Sequence, residues 1–196
     1  MRQATVTRNT GETRITLTLA LDGSGKTEIR TGCGFLDHML TLFARHGHFG
    51  LSLACQGDTH VDDHHTVEDC GIALGQAFAQ ALGGGRGIAR YGSCLLPMDE
   101  ALVRVALDVS GRGHLAYGLK PRAQKVGTFD TELVKEFFGG LCRSMGLTLH
   151  VTQLAGENAH HILEAAFKGL GRALRAATAI DPERQDEIPS TKGVLL

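Results

Sequence analysis

The sequence predicts an α+β protein made by internal duplication, with two β-β-α-β-α halves in which sheet packs on helices. Three observations predict it. The phrase H-H-x-x-E is written twice, as His64-His65-Thr66-Val67-Glu68 and as His160-His161-Ile162-Leu163-Glu164, 96 residues apart. Flanking blocks recur at the same offset: Gly50-Leu51-Ser52-Leu53 matches Gly146-Leu147-Thr148-Leu149, and Leu74, Gly75, Ala77 and Ala81 match Leu170, Gly171, Ala173 and Ala177. Segments of period two alternate with segments of helical period in the same order in both halves. A repeat of roughly 85–95 residues is a duplicated half-domain and not a solenoid unit.

The elements follow in order. Residues 14–21 alternate apolar and polar and predict a strand; residues 26–31 are expected to pair with it across the Asp22-Gly23-Ser24-Gly25 turn. Residues 35–46 predict a helix ended by Gly47, and 49–55 a short strand. Residues 64–82 predict a helix with Asp63 as its N-cap and Gly83-Gly84-Gly85 as its stop. The second half repeats this with strands near 101–109 and 113–118, a helix near 131–145, a strand near 146–152 and a helix near 159–179, where Asn158 stands close to the start. There is room for a further strand before each half. An earlier block, Leu21-Asp22-Gly23-Ser24-Gly25, matches Leu107-Asp108-Val109-Ser110-Gly111 at an offset of 86. The change of offset predicts about ten extra residues in the second half, placed at the polar stretch Lys120–Thr128. One unit of residues 1–196 is expected, with halves of about 1–90 and 91–196.

Composition narrows the function. The formal net charge of −1 gives no electrostatic footprint for nucleic acid. No apolar run approaches the ~20 residues of a membrane span, and the first residues lack the apolar core of a signal peptide. The five cysteines are odd in number, irregular in spacing and free of any CxxC, which predicts reduced packing thiols in a cytoplasm.

The repeated motif carries the chemistry. On a helix the first His and the Glu are four apart and share a face. Neutral imidazole and carboxylate together suit divalent transition metals. His64 with Glu68 can share one ion, and His160 with Glu164 another. His65 and His161 point about 100° away, so each is free to reach the opposite ion. Each motif opens its helix, so the ligands project from the end of a rigid element.

The segments GFLDHML, DDHHTVED, SGRGHL, LAGENAHHILEAAFKGLGRAL and PSTKG, in this order from Glu12 to Lys192, closely resemble the imidazoleglycerol-phosphate dehydratase family in its monofunctional form. The resemblance implies a ribosomal protein S5 domain 2-like fold, two Mn²⁺ per active site, and a homo-24-mer with active sites between subunits. It implies that His38, His65, His160 and Glu164 hold one manganese and that His64, Glu68 and His161 hold the other. The fourth ligand of the second ion is a histidine in the family's V-x-H-F-F segment; here Val134-Lys135-Glu136-Phe137-Phe138 puts Glu136 at that place. The family's substrate contacts fall on Glu12, Arg90, Arg112, Lys168, Ser190, Thr191 and Lys192, with His38, His64 and His160 also facing substrate.

The implied substrate is a glycerol phosphate chain bearing an imidazole, a small molecule that calls for cations around its phosphate. Its dehydration requires removal of an unactivated C–H proton and departure of a hydroxyl, with Glu12, Glu68 and Glu164 as candidate acid-base groups. Two rival metal chemistries fail on spacing. The inverted zinc motif H-x-x-E-H needs a histidine where Asp69 and Ala165 stand. A di-iron bundle uses E-x-x-H without intervening strands. A non-catalytic, metal-stabilised assembly module is the alternative reading.

Overall fold

Alternation of buried and exposed residues builds the strands. Ile15, Leu17 and Leu19 are buried on one face of a strand, as are Leu51 and Leu53, Val103, Val105 and Leu107, and Leu147, Leu149 and Val151 on others. The computed structural model describes residues 2–195. Its first half runs β1 (Gln3–Asn9), β2 (Thr13–Ala20), β3 (Thr27–Arg30), α1 (Gly34–Gly47), β4 (Gly50–Gly57) and α2 (His64–Leu82). Its second half runs β5 (Tyr91–Met98), β6 (Ala101–Val109), β7 (His114–Gly118), the short hairpin β8 (Lys125–Val126) and β9 (Phe129–Asp130), α3 (Leu133–Met145), β10 (Leu147–Ala155) and α4 (Ala159–Thr178). The further strand before each half is present, so each half is β-β-β-α-β-α.

The two main sheets have the orders β1-β2-β4-β3 and β5-β6-β10-β7. This corrects one expectation: β3 does not pair with β2 across the Asp22–Gly25 turn. It runs parallel to β4, from Thr27 opposite Leu51 to Arg30 opposite Ala54. The physical reason is that α1 is a crossover long enough to join parallel neighbours. The buried alternation of β4 takes the central place, and β3, half exposed throughout, takes the edge. The second sheet repeats this with β7 parallel to β10.

Helices of the two halves meet each other. In the first half α2 packs on β1, β2 and β4 and α1 on β3; in the second α4 packs on β5 and β6 and α3 on β7 and β10. Across the halves α1 packs on α4 and α2 on α3. The layers are therefore sheet, helices, sheet, with Phe43, Phe49, Phe78, Phe137, Phe138 and Phe167 in the core between them. The crossings are close because each has a glycine at its centre. A Cβ on Gly75 would stand 2.6 Å from the Leu141 carbonyl oxygen, and one on Gly171 would collide with that of Phe43. Gly75 and Gly171 are the pair already matched in the repeat.

These contacts also calibrate the repeat. Leu53 and Leu149 correspond at 96; their partners Leu17 and Leu107 are 90 apart. The Leu-Asp-x-Ser-Gly match at 86 is therefore not a structural equivalence. Its first copy is a turn after β2, whereas Leu107, Asp108 and Val109 lie inside β6. Short turn-forming residues recur wherever strands end, which is why the match misleads. Ile29 and Leu115 correspond at 86 through their pairing with Leu53 and Leu149. Phe43 and Leu141 correspond at 98 through the glycine crossings. The twelve residues gained between them hold Lys120–Thr128 and the β8–β9 hairpin, where the insertion was expected.

Two helix ends differ in detail. Asp63 occupies the N-cap position of α2 with a helical backbone and makes no cap bond. Asp62 does that work, its Oδ1 accepting from the His64 N–H at 2.8 Å. At the end of α1 the left-handed residue is His48 (φ 54°), not Gly47. All five cysteines are unpaired, four of them buried, and burial pushes the Cys142 thiol up to about 12. Among the described residues no helix is long and apolar enough to cross a membrane.

The glycine crossings make a direct test. Gly171→Val should force the α1–α4 backbones apart and cost about 2 kcal/mol, in the range for overpacked cores. A lowered thermal midpoint is expected, and an unchanged one would show that the crossing is slack.

Candidate metal centre

The first turn of α4 presents one cluster. Asn158 caps the helix, its Oδ1 accepting from the His161 N–H at 3.3 Å. One turn on, His160 Nε2 lies 3.1 Å from Glu164 Oε2, the i, i+4 contact that the spacing predicts. The α1–α4 crossing adds His38, whose Nε2 lies 3.4 Å from the same oxygen. The donor atoms of His38, His160 and Glu164 all lie within 4.8 Å of one another. Glu164 is buried, only 7% exposed. Burial pushes its carboxyl up, but Lys168, paired with its Oε1, and then His160 and His38 outweigh this and hold it below the ordinary 4.5. Phe35 meets the His160 ring edge-on and rests on Phe129 of the insertion, so the added hairpin buttresses the cluster.

The other half presents a looser counterpart. His64 Nε2 stands 3.9 Å from Glu68 Oε2, and Arg143 of α3 donates to Glu68 Oε1 at 2.5 Å. Helix equivalence at 98 makes Glu136 the counterpart of His38. Glu136 lines a cavity of about 560 Å³ together with His64, Tyr117, Thr131 and Glu132. Each motif thus offers a His and a Glu from one helix, and a His or Glu stands at the matching place of the helix crossing it; only His38, His160 and Glu164 converge among the described residues. The offset of 96 in the sequence conceals this relation, because the path from Phe43 in α1 to Leu53 in β4 is two residues longer than the equivalent path from Leu141 in α3 to Leu149 in β10.

The second histidine of each motif turns away from its own cluster. His65 Nδ1 lies 3.0 Å from Asp58 Oδ2, and its Nε2 is 3.6 Å from Glu12 Oε1. His161 Nδ1 lies 2.7 Å from Glu100 Oε2, and its Nε2 is 3.6 Å from Asp99 Oδ2. The bond to Asp58 raises the His65 pKa above its ordinary value, and the bond to Glu100 does the same for His161. Glu100 in turn falls to about 2, held first by His161 and then by the Asn158 N–H. Within one chain, then, His65 does not join His38, His160 and Glu164, and these three are the one convergent donor set among the described residues.

The expected phosphate contacts lie elsewhere in the chain. Arg90, with φ 71°, makes a two-pronged pair with Asp108 at 2.8 and 3.1 Å, and its Nη1 donates to the Pro189 carbonyl at 2.7 Å. Ser190, Thr191 and Lys192 follow that anchor. The tail packs on the loop after α2, through the Gly87 N–H to Glu187 and the Asp181 N–H to Gly87, both 2.8 Å. It does not close over either histidine cluster of its own chain. Arg90 N–H bonds the Ala177 carbonyl at the far end of α4, about 26 Å along the helix axis from His160. Arg112 is exposed in the β6–β7 turn, 4.0 Å from Asp108. Lys168 lies in the α4 cluster, beside Glu164.

Four residues were not singled out from the sequence: Asp58, Glu100, Arg143 and Asp69. Asp69 is buried, accepts from Arg8 at 2.7 Å and from Thr13 at 2.5 Å, and so ties the second turn of α2 to β1 and β2. Its position directly after the first motif was the available signal. Glu100 and Arg143 reach His161 and Glu68 from distant segments, and Asp58 reaches His65 from the loop that leads into α2; no local pattern marks them.

The donor chemistry fits a divalent transition metal: neutral ring nitrogens and carboxylate oxygens converge from rigid helix ends. Fold and donors together define a duplicated α+β protein carrying paired His/Glu sets. The imidazoleglycerol-phosphate dehydratase family profile matches residues 31–174. The imidazoleglycerol-phosphate dehydratase of Dinoroseobacter shibae is 60% identical over 195 residues, all of both chains; that of Methylorubrum extorquens is 58% identical over the same span. Among solved structures, the imidazoleglycerol-phosphate dehydratase of Staphylococcus aureus superposes with a TM-score of 0.83 at 40% identity, covering 91% of this chain and 99% of that one. A Pyrococcus furiosus structure gives 0.84 at 40%, covering 97% and 100%. The chain belongs to the imidazoleglycerol-phosphate dehydratase family.

The Glu164 cluster has a pH signature. Because its carboxyl is held below 4.5 in the folded chain, the stabilisation is present above that value and is lost as pH falls through the folded one. In metal-free protein, Lys168→Met should lower the thermal midpoint near neutrality and converge on the parent in acid. A constant gap at all pH values would show that Lys168 contributes packing alone.

Proposed function

We propose that the chain dehydrates D-erythro-imidazole-glycerol phosphate to imidazole-acetol phosphate in histidine biosynthesis, in the cytoplasm, using two Mn²⁺ per active site. The observation that carries this is the convergence of His38, His160 and Glu164 on one point in a chain whose relatives bear the dehydratase name. His38, His160 and Glu164 hold one ion, with His65 as the fourth ligand. His64, Glu68 and Glu136 hold the other, with His161. When bound, the ions supply Lewis acidity toward the imidazole nitrogens and a hydroxyl.

The reaction removes one hydroxyl as water and a C–H proton from the neighbouring carbon, leaving an enol that reverts to the ketone. The three candidate glutamates have different surroundings, which supports different roles for them. Glu164 is held ionised among Lys168, His160 and His38, and Glu68 is clamped by Arg143. Glu12 is 53% exposed on the β1–β2 turn, with only His65 Nε2 beside its carboxylate among the described residues. Glu12 is therefore the group best able to take and return a proton.

The site is shared between copies of the chain. The second histidines face away from their own clusters, and Arg90 with the Ser190-Thr191-Lys192 tail lies too far along α4 for one small substrate to span both. Neighbouring copies bring His65 and His161 to the opposite ions and the tail to the phosphate, in a homo-24-mer. The non-catalytic module reading has no observation of its own in its favour.

Purified protein should turn over imidazoleglycerol phosphate, lose activity on chelation and regain it with Mn²⁺. Full turnover in rigorously metal-free protein would sink the two-metal reading. Glu12→Gln should lower kcat with little change in Mn²⁺ uptake, whereas Lys192→Ala should chiefly raise KM.

Metal ligands donated across an interface make binding an association energy. Chelation should therefore shift the large oligomer to a smaller species by light scattering, and Mn²⁺ should restore it. An apo protein that keeps its full size would show that packing alone holds the assembly.

A further inference from the structure

We propose that Asp58 and Glu100 are positioning residues for the metal centre, each accepting the Nδ1–H of the second histidine of an HHxxE motif and so presenting that ring's Nε2 as the ligand atom. This rests on the metal reading above and goes beyond the ligands themselves. A neutral imidazole carries one N–H, and whichever nitrogen donates leaves the other as the metal donor. The 3.0 Å contact from His65 to Asp58 and the 2.7 Å contact from His161 to Glu100 both engage Nδ1. Each Nε2 has only a carboxylate oxygen at 3.6 Å, Glu12 for His65 and Asp99 for His161. That separation is longer than a hydrogen bond, so the lone pair stays free.

The Glu100 carboxylate is itself held in place, whereas Asp58 is anchored through its backbone and its Oδ1 is buried without a hydrogen-bond partner. Glu100 Oε1 accepts from the Asn158 N–H at 2.9 Å and the Glu157 N–H at 3.3 Å, which aims Oε2 at His161. The Asp58 N–H donates to the Glu12 carbonyl at 3.1 Å, and its side chain is 19% exposed. The two arrangements are not copies of one another. At the offset of 96 the counterpart of Asp58 is Leu154. Glu100 belongs to the tip by which the β5–β6 hairpin outreaches β1–β2: Met98 pairs with Ala101, whereas the last pair of the first hairpin is Asn9 with Arg14. Unrelated positions thus place the same group against the same nitrogen of matching histidines. Duplication alone would not produce that. A carboxylate behind a ligating histidine fixes its tautomer and raises its basicity, and losing it weakens metal binding 10–100-fold.

The competing account is that Glu100 merely closes the loop before α4 and Asp58 a turn after β4. Glu100→Gln separates the two. Its Oε1 still accepts from Glu157 and Asn158, while its amide now directs N–H groups at His161 Nδ1. Asp58→Asn makes the matching change at His65. Mn²⁺ titration calorimetry on the full-length protein, with the metal-free thermal midpoint recorded beside it, is the measurement. In each variant one of the two Mn²⁺ per chain should bind about 10–100-fold more weakly, with the midpoint little changed. The double variant should weaken both. Nitrogen NMR of the imidazoles at alkaline pH should show Nδ1–H for His161 in the parent and Nε2–H in Glu100→Gln. Parent-like affinity for both ions in both single variants would overturn the proposal, as would Nε2–H tautomers in the parent. A parent protein that takes up no Mn²⁺ would instead sink the metal reading, and this one with it.

Discussion

Everything at the candidate site depends on the close crossing of helices from opposite halves. Gly75 against Leu141 and Gly171 against Phe43 let α2 approach α3 and α4 approach α1 nearly backbone to backbone. Had the α1–α4 crossing been spaced by ordinary side chains, His38 would not reach Glu164. The contact buries apolar residues such as Phe43, Leu141 and Phe167, and the motif histidines lie at the N-terminal turns of α2 and α4. Packing therefore sets the position of the ligands, and the ligands contribute little to the packing.

The duplication gives the site its form and the departures from duplication give it its chemistry. The α4 cluster takes its third donor from His38, and Glu136 stands at the same place in the helix that crosses α2. The first set is two imidazoles and a carboxylate; at the other motif His64 faces Glu68, which Arg143 holds, and Glu136 lines the same cavity as His64. Lys168 plays the corresponding part beside Glu164 from within its own helix. The insertion between β7 and α3 is a further asymmetry, since Phe129 supports Phe35 and through it the ring of His160 in one cluster only.

A histidine is an ambiguous ligand until something fixes which nitrogen is offered. In this chain His160 is oriented by Glu164, its helical neighbour, and His65 and His161 by carboxylates from other segments. The first kind of support is carried by sequence spacing. The second arises only when a strand end or hairpin tip folds against a helix.

The sequence by itself determined the duplication, the period of the helices and of the six strands it assigned, the paired His/Glu donors at i and i+4, and the place of the insertion. Those features are local, and local geometry follows from spacing. Tertiary structure alone decided the strand order, because β3 chooses β4 over its hairpin neighbour once α1 folds across the sheet. It alone decided that Glu136 answers to His38, since the path from α1 into β4 shifts the register by two residues. Helical spacing already turned His65 and His161 away from their own pairs, but tertiary structure alone set Asp58 and Glu100 against them, because a residue's partner across the fold is set by how whole elements pack, which no pattern of neighbours along the chain records.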